Sequence, residues 1–315
     1  MALAGIPRVH GLSPDWRVPV LAHTTAISAF CLLAFACSGT QKPQSTTRSF
    51  GIDDFSDTIR IQARPTRIVS LTPHTTEILF ALGAGNRLVG RDMYSHWPDS
   101  AARVPNLGQG LRPNIEAVIA AKPDLVLLYA SQDNRVATQQ LRSAGIATAA
   151  FKVDRIEQFD RLTRLLGRII GDSARAALVA DTVKRTLDSV RAKTQSLPRV
   201  AVVLPTWDRP LIVIGGGSFM SQLVTIAGGH NIYDSIPAPS PAVTLEDVVR
   251  RNPDAVLVGP ERAAIIRGSP QWRTLPAVRR GRVLVIDTSV TLRPAVRLGE
   301  GAVSLARLLH PELAR

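Results

Sequence analysis

The chain has 315 residues, 45% of them apolar, which is enough for a sizeable core and places it outside the disordered class. Its formal net charge is +13, but the basic residues, mostly arginine, are scattered rather than striped along one element with aromatics between them. That pattern argues against nucleic acid as a partner and suits an anionic membrane surface or an anionic ligand. Both cysteines, Cys31 and Cys37, lie near the N-terminus, so the remaining chain has neither a disulfide scaffold nor a Cys-based zinc site.

The first element is a leader. AISAFCLLAFA, 26–36, is an apolar run of signal-peptide length, too short for a standard membrane span, and Arg8 and Arg17 precede it. Ala34-Phe35-Ala36 reads as a cleavage site with Cys37 directly after it. Cleavage there leaves an unpaired thiol on an exported protein, a liability unless the thiol is lipidated. The stretch resembles a bacterial lipobox, although Ala34 stands where Leu is usual. Residues 1–37 are therefore expected to be a signal peptide with a lipobox-like end. Plain secretion and an uncleaved anchor are the alternatives. Residues 38–60 open with SGTQKPQSTTRS, polar and free of aliphatics, and read as a flexible tether.

Residues 61–171 are expected to form an N-terminal α/β lobe. RIVSLTPHTTEILFALGAGNRLVG (67–90) opens with a short apolar strand, turns through Thr and Ser, and continues as a helix that stops at Gly83. NIEAVIAAKPDLVLL (114–128) is a helix start followed by a strand. RIEQFDRLTRLLGRII (155–170) has apolar residues at helical spacing and stops at Gly171. Residues 172–196 read as one helix capped by Asp172 or Ser173, reaching roughly 35 Å at about 1.5 Å per residue. Residues 197–315 are expected to be a second lobe. RPLIVIGGGSFMSQLVTIAGGHNIY (209–233) repeats the strand, turn and helix order of 67–90, and TLEDVVRRNPDAVLV (244–258) repeats 114–128. The first pair is offset by 145 positions and the second by 130, so the first half holds 15 extra residues, YSHWP (94–98) among them. Alternating strand and helix predicts parallel sheets with helices on both faces, and ligands then sit beyond the C-terminal strand ends.

The ordered set RIVSL-x-x-x-x-TEILFALG, YSHWP, NIEAVIAAKPDLVLL, the long helix, GGGSF, AGGHNIY, TLEDVVRRNPDAVLV and RPAVRLGEGAVSLARLLHPE resembles the class III substrate-binding proteins of ABC importers, nearest their cobalamin-binding branch. The resemblance covers about residues 60–312. It implies two Rossmann-like lobes with parallel sheets joined by a single long rigid helix. It implies capture of cobalamin or a related corrinoid between them, with haem or a ferric siderophore as the alternative. It also implies a monomer outside the cytoplasm, periplasmic or at the cell surface, held to the membrane by a lipid on Cys37. The partner is an ABC permease dimer with its ATPase subunits. Tyr94, Trp97 and Tyr129 match ligand-wall aromatics of the first lobe, Trp207 takes the corresponding place in the second, and Arg293 matches an arginine facing the cleft. Glu116 and Glu246 match a pair of carboxylates, one per lobe, that bind arginines on the two permease subunits. Locally the same two glutamates suit the first turn of helices capped by Asn114 and Thr244. Two aromatic positions of the cobalamin binders are absent: Gly110 and Leu111 stand at one, Pro239-Ser240-Pro241 at the other.

No catalytic or resident metal site is expected. GGGSF is neither G-x-S-x-G nor a Walker A motif, and no paired nucleophile or carboxylates accompany it. His74, His96 and His230 are isolated, and a loop histidine is ordinarily solvated. His96 does neighbour Tyr94, and Tyr or His can ligate haem iron.

Overall fold

The computed structural model describes residues 47–314; the leader, Cys37 and residues 38–46 of the expected tether lie outside them. The second half of that tether is folded. Strands β1 (Arg48–Ile52) and β2 (Thr58–Ile61) pair as an antiparallel hairpin. The buried Asp53 carboxylate accepts from the amides of Phe55 and Asp57, both at 3.0 Å, and of Ala150 at 3.1 Å. Ile59 and Ile61 enter the core, a two-residue alternation that the polar stretch before it conceals.

The N-terminal lobe continues with β3 (Ile68–Ser70), α1 (Pro73–Ala81), β4 (Leu88–Arg91), α2 (Ile115–Ala120), β5 (Leu125–Tyr129), α3 (Gln132–Ser143) and β6 (Ala147–Phe151). Its four strands are parallel in the order β4-β3-β5-β6. All of β3 and the LVLL of β5 are buried, as expected of strands covered on both faces. Gly83 ends the α1 segment with φ +75°, which glycine adopts without strain.

Two helices follow, α4 (Ile156–Ile170) and α5 (Ser173–Thr194), turning at Gly171. Asp172 caps α5 by accepting from the Arg175 amide at 2.9 Å. Arg175 donates to the Ala81 carbonyl at 2.7 Å in the first lobe, while Thr194 donates to the Ile226 carbonyl at 2.7 Å in the second. The long helix thus spans from lobe to lobe. The second connection is α4, running back along it. Its start meets the second lobe, Arg155 donating to Gly216 O at 2.8 Å, and Arg87 of the first lobe donates to Ile170 O at its end, 3.2 Å.

The C-terminal lobe comprises β7 (Val200–Val203), β8 (Pro205–Asp208), β9 (Leu211–Val213), α6 (Phe219–Ile226), β10 (Gly229–Asn231), β11 (Ala242–Val243), α7 (Leu245–Arg251), β12 (Ala255–Val258), α8 (Pro260–Gly268), α9 (Pro276–Arg279), β13 (Val283–Val285), α10 (Thr288–Thr291) and α11 (Leu298–Leu309). The parallel order β10-β7-β12-β13 copies that of the first lobe. The strand equivalent to β3 is therefore β7, not the RPLIV run that the repeat pointed to. That run forms β9, which pairs antiparallel with β8 and β11 in a separate three-stranded sheet. The insertion of this hairpin between first strand and helix breaks the all-parallel pattern. Gly215, Gly216 and Gly217 follow it, and a Cβ on any of them would overlap a carbonyl oxygen of the 234–238 loop. The amide of Gly215 donates to Pro239 O at 3.1 Å and that of Gly216 to Ile236 O at 2.8 Å, so the GGGS turn is a close backbone junction with two amides committed.

Candidate functional site

The C-terminal ends of the N-lobe strands converge on one cavity of about 530 Å³. From the β3 end come Leu71, Thr72 and His74; from the β4 end, Asp92 and Tyr94; from the β5 end, Tyr129; from the β6 end, Val153 and Asp154. Gly110 and Leu111 complete this side, and Phe219 and Pro294 face it from the second lobe. A Cβ on Gly110 would overlap the Leu71 carbonyl oxygen, so only glycine lets the 109–111 loop lie this close to the strand end. Leu111, beside it, is 57% exposed and presents its side chain where a larger wall residue was missing from the sequence.

The floor is a chain of buried hydroxyls. The Thr72 and Thr75 oxygens are 2.7 Å apart, those of Thr75 and Ser70 2.6 Å. Thr76 donates to Ser70 at 2.8 Å, Ser95 donates to Thr76 at 3.0 Å, and Ser95 also bonds Asp92. At the other end His74 Nε2 lies 3.2 Å from the Thr72 hydroxyl. Burial pushes the His74 pKa down to about 4, so the ring is neutral at neutral pH, and burial raises the Asp92 carboxyl above its ordinary value. The solvated reading of His74 is corrected here: the Thr72 cap turns the chain so that the next residues pack under the cavity. Tyr129 donates to Asp154 Oδ1 at 3.1 Å, and burial, then that carboxylate, push its pKa up to about 12.

Of the expected ligand residues, the structure brings Tyr94 and Tyr129 together on this wall. Tyr94 is 54% exposed and Tyr129 half-buried. Trp97 does not line the cavity; the Arg297 guanidinium covers its ring, 4.8 Å from the centroid. Arg293 directs Nη1 at Glu77, 3.7 Å away, although its neighbour Pro294 lines the cavity. Trp207 sits on β8 rather than in an irregular strand-end loop and is 60% exposed. Its hairpin neighbour Thr206 borders a second cavity of about 290 Å³ at the C-lobe strand ends, with Gly259, Thr288 and Leu292. There Arg262 holds Asp208 through two bonds of 3.1 and 2.6 Å. A larger groove of about 680 Å³ lies away from the strand ends, between α4, α5 and α6.

Glu116 and Glu246 are both exposed in the first turns of α2 and α7. Asn114 caps the first by accepting from the Ala117 amide at 3.1 Å, Thr244 the second by accepting from the Asp247 amide at 3.2 Å. Hydrogen bonds from its own amide and from Thr244 lower the Glu246 pKa, so that carboxylate is charged at neutral pH. Sequence reasoning named Leu111 only as standing where an aromatic is absent, and did not single out Phe219, Asp92 or Glu77. Asp92 follows a strand end and was findable on that ground; the others depend on contacts distant in sequence. Among the described residues no three His, Cys, Asp or Glu are grouped to hold a metal ion, and no helix is long and apolar enough to cross a membrane.

Comparison with known proteins agrees with this architecture. The profile of a family described as "Periplasmic binding protein" matches residues 68–290. A vitamin B12-binding protein of Vibrio vulnificus (strain CMCP6) is 26% identical over 244 residues, covering 76% of this chain and 88% of the relative. An uncharacterized ABC transporter substrate-binding lipoprotein, YvrC, of Bacillus subtilis (strain 168) is 28% identical over 272 residues, covering 83% of this chain and 85% of the relative. Among solved structures, the periplasmic vitamin B12-binding protein BtuF of Vibrio cholerae superposes with a TM-score of 0.69 at 23% identity, over 80% of this chain and 99% of that one. The apo form of the periplasmic heme-binding protein RhuT from Roseiflexus sp. RS-1 gives a TM-score of 0.71 at 23% identity, over 79% of this chain and 99% of that one. At those identities the structural likeness speaks for the fold.

Proposed function

The chain belongs to the periplasmic binding protein family, and on that premise we propose that its cleft captures cobalamin or a related corrinoid and delivers it to an ABC permease. The observation that carries this reading is the cavity that joins apolar side chains to the neutral polar groups of Thr72 and His74, with no arginine or lysine among its lining residues. Tyr94, Leu111, Tyr129 and Phe219 offer flat or aliphatic surface to a conjugated ring, while Thr72 and His74 offer neutral hydrogen-bonding groups. A corrin carries amides around its rim; a haem carries carboxylates, and the lining holds the carboxyl groups of Asp92 and Asp154 but no arginine or lysine to receive them. The Vibrio vulnificus relative named for vitamin B12 supports the same ligand. The volume falls in the range of small-molecule sites.

Haem or a ferric siderophore is the second reading. Tyr94 places a phenol at the rim of the same cavity as the neutral His74 imidazole, and either group can ligate haem iron. Glu116 and Glu246 then dock the two lobes on arginines of the permease subunits, and Cys37 carries the lipid of a monomeric, membrane-anchored binding protein without catalytic activity. The test is to incubate the purified protein with cobalamin, haem and ferric siderophores and read the retained absorption spectrum. Cobalamin retention is expected; retention of haem alone overturns the corrinoid reading. Tyr94→Ala should weaken binding by about 2 kcal/mol, roughly thirtyfold in Kd, as loss of an aromatic anchor does. Tyr94→Phe should leave a stacked corrin almost unaffected, whereas a haem ligated through the phenol oxygen would lose affinity and change its spectrum.

A further inference from the structure

Glu77 stands on α1 in the first lobe and is 1% exposed. Neither of its carboxylate oxygens has a hydrogen-bond partner among the described residues. The cations nearest to it belong to the other lobe: Arg297 Nη2 at 3.5 Å and Arg293 Nη1 at 3.7 Å. Arg297 is anchored in its own lobe by donating to Ser289 O at 2.8 Å, and its guanidinium also lies 4.8 Å from the Trp97 ring centroid. The arginine is thus held between two residues of the opposite lobe, Glu77 and Trp97.

A buried ion pair is a weak source of stability, because desolvation offsets most of the attraction and an apolar pair would serve equally well. Its distinctive property is intolerance of displacement. Parting the lobes here leaves a buried carboxylate without its cations and a guanidinium without its ring. One lobe spacing is therefore favoured over its neighbours. Pro294, between Arg293 and Arg297 in the chain, is part of the cavity lining, so this spacing is also the width of the cleft. We infer that Glu77, Arg297 and Trp97 form an interlobe latch: positioning residues that set the separation of the ligand-binding walls without touching the ligand. This inference rests on the binding site proposed above.

The test compares wild type with Glu77→Gln, which keeps the shape and removes the charge. Two quantities are read: hydrogen exchange of the ligand-free protein in segments 73–81 and 289–298, and the rate at which bound cobalamin dissociates. Both should rise by about tenfold, in the range of a typical coupling between sites, while exchange in the outer strands of each lobe stays as in wild type. Arg297→Lys, which keeps the charge but not the planar stack on Trp97, should fall between the two. Wild-type exchange and dissociation in Glu77→Gln would overturn the latch, as would a uniform rise across the whole chain, which marks general destabilisation. If Glu77→Gln does not accumulate folded protein, Trp97→Leu carries the same comparison with the same outcomes. A wild type that binds no cobalamin ends the ligand reading, while the exchange comparison still decides the latch.

Discussion

Burial keeps the His74 imidazole neutral, with its pKa down at about 4 against an ordinary 6.5. Between those two values the unfolded chain binds a proton that the folded chain does not. Stability therefore rises with pH across that window: it is fully present above pH 6.5 and lost as pH falls toward 4. The loss is roughly 3 kcal/mol, because each tenfold drop in proton affinity on folding is worth about 1.4 kcal/mol. The buried carboxyls of Asp92 and Glu77, raised by burial, act in the opposite sense. They remain in a His74→Gln variant and so cancel when it is compared with wild type. Denaturant melts at several pH values should show wild type losing more stability than His74→Gln on acidification; parallel curves would mean that the ring is not held neutral.

Helix ends account for part of the positive charge. Arg67 donates to Ala121 O at 2.6 Å and Lys122 O at 2.8 Å, capping α2, and Arg199 donates to Thr225 O at 2.6 Å near the end of α6. Arg175 does the same for α1 and Arg87 for α4. Arginine at a helix C-terminus satisfies free carbonyls and meets the negative end of the helix dipole. These four arginines are thus structural. At the opposite helix ends, α2 and α7 present the twin glutamates exposed behind side-chain caps at the matching position, each two residues before a buried valine, Val118 or Val248. A two-lobed protein that docks on a symmetric dimer needs one contact twice. On the proposed docking, Glu116→Arg combined with Glu246→Arg should abolish uptake through the permease and leave ligand affinity unchanged, because like charges would then face each other at both feet. Transport assays beside equilibrium binding measure the two effects separately, and surviving uptake would reduce the pair to dipole-stabilising residues.

The whole molecule is braced by α4 and α5 running in opposite directions across both lobes. Ala176, Ala180, Val183, Leu187 and Val190 form a buried stripe along α5, and α4 contributes Leu162, Leu165, Leu166 and Ile169 to the same core. At Gly167 the two helices come so close that a Cβ would overlap the Ala176 Cβ. A hinge would require the connection to bend, and neither helix has Pro or a glycine pair at which to do so. Ligand binding should therefore leave the solution scattering profile of the protein nearly unchanged. A decrease in radius of gyration of several per cent on adding ligand would show that the lobes close as hinged bodies.

The sequence by itself determined what short-range physics determines. The caps at Asn114 and Thr244, the helix stops at Gly83 and Gly228, the bridging helix and the twofold plan all rest on contacts within a few residues, which composition and spacing express directly. Tertiary structure alone decided which groups reach the cleft. Trp97 lost its free face to Arg297, Arg293 turned to Glu77, and His74 was buried although it reads as a loop residue. The second half of the tether became a strand pair because the Asp53 carboxylate meets the Ala150 amide, and RPLIV became the central strand of a small antiparallel sheet because it pairs with both β8 and β11. Several of these outcomes depend on partners about a hundred or two hundred positions away, and such contacts have no period or local spacing for a sequence to display.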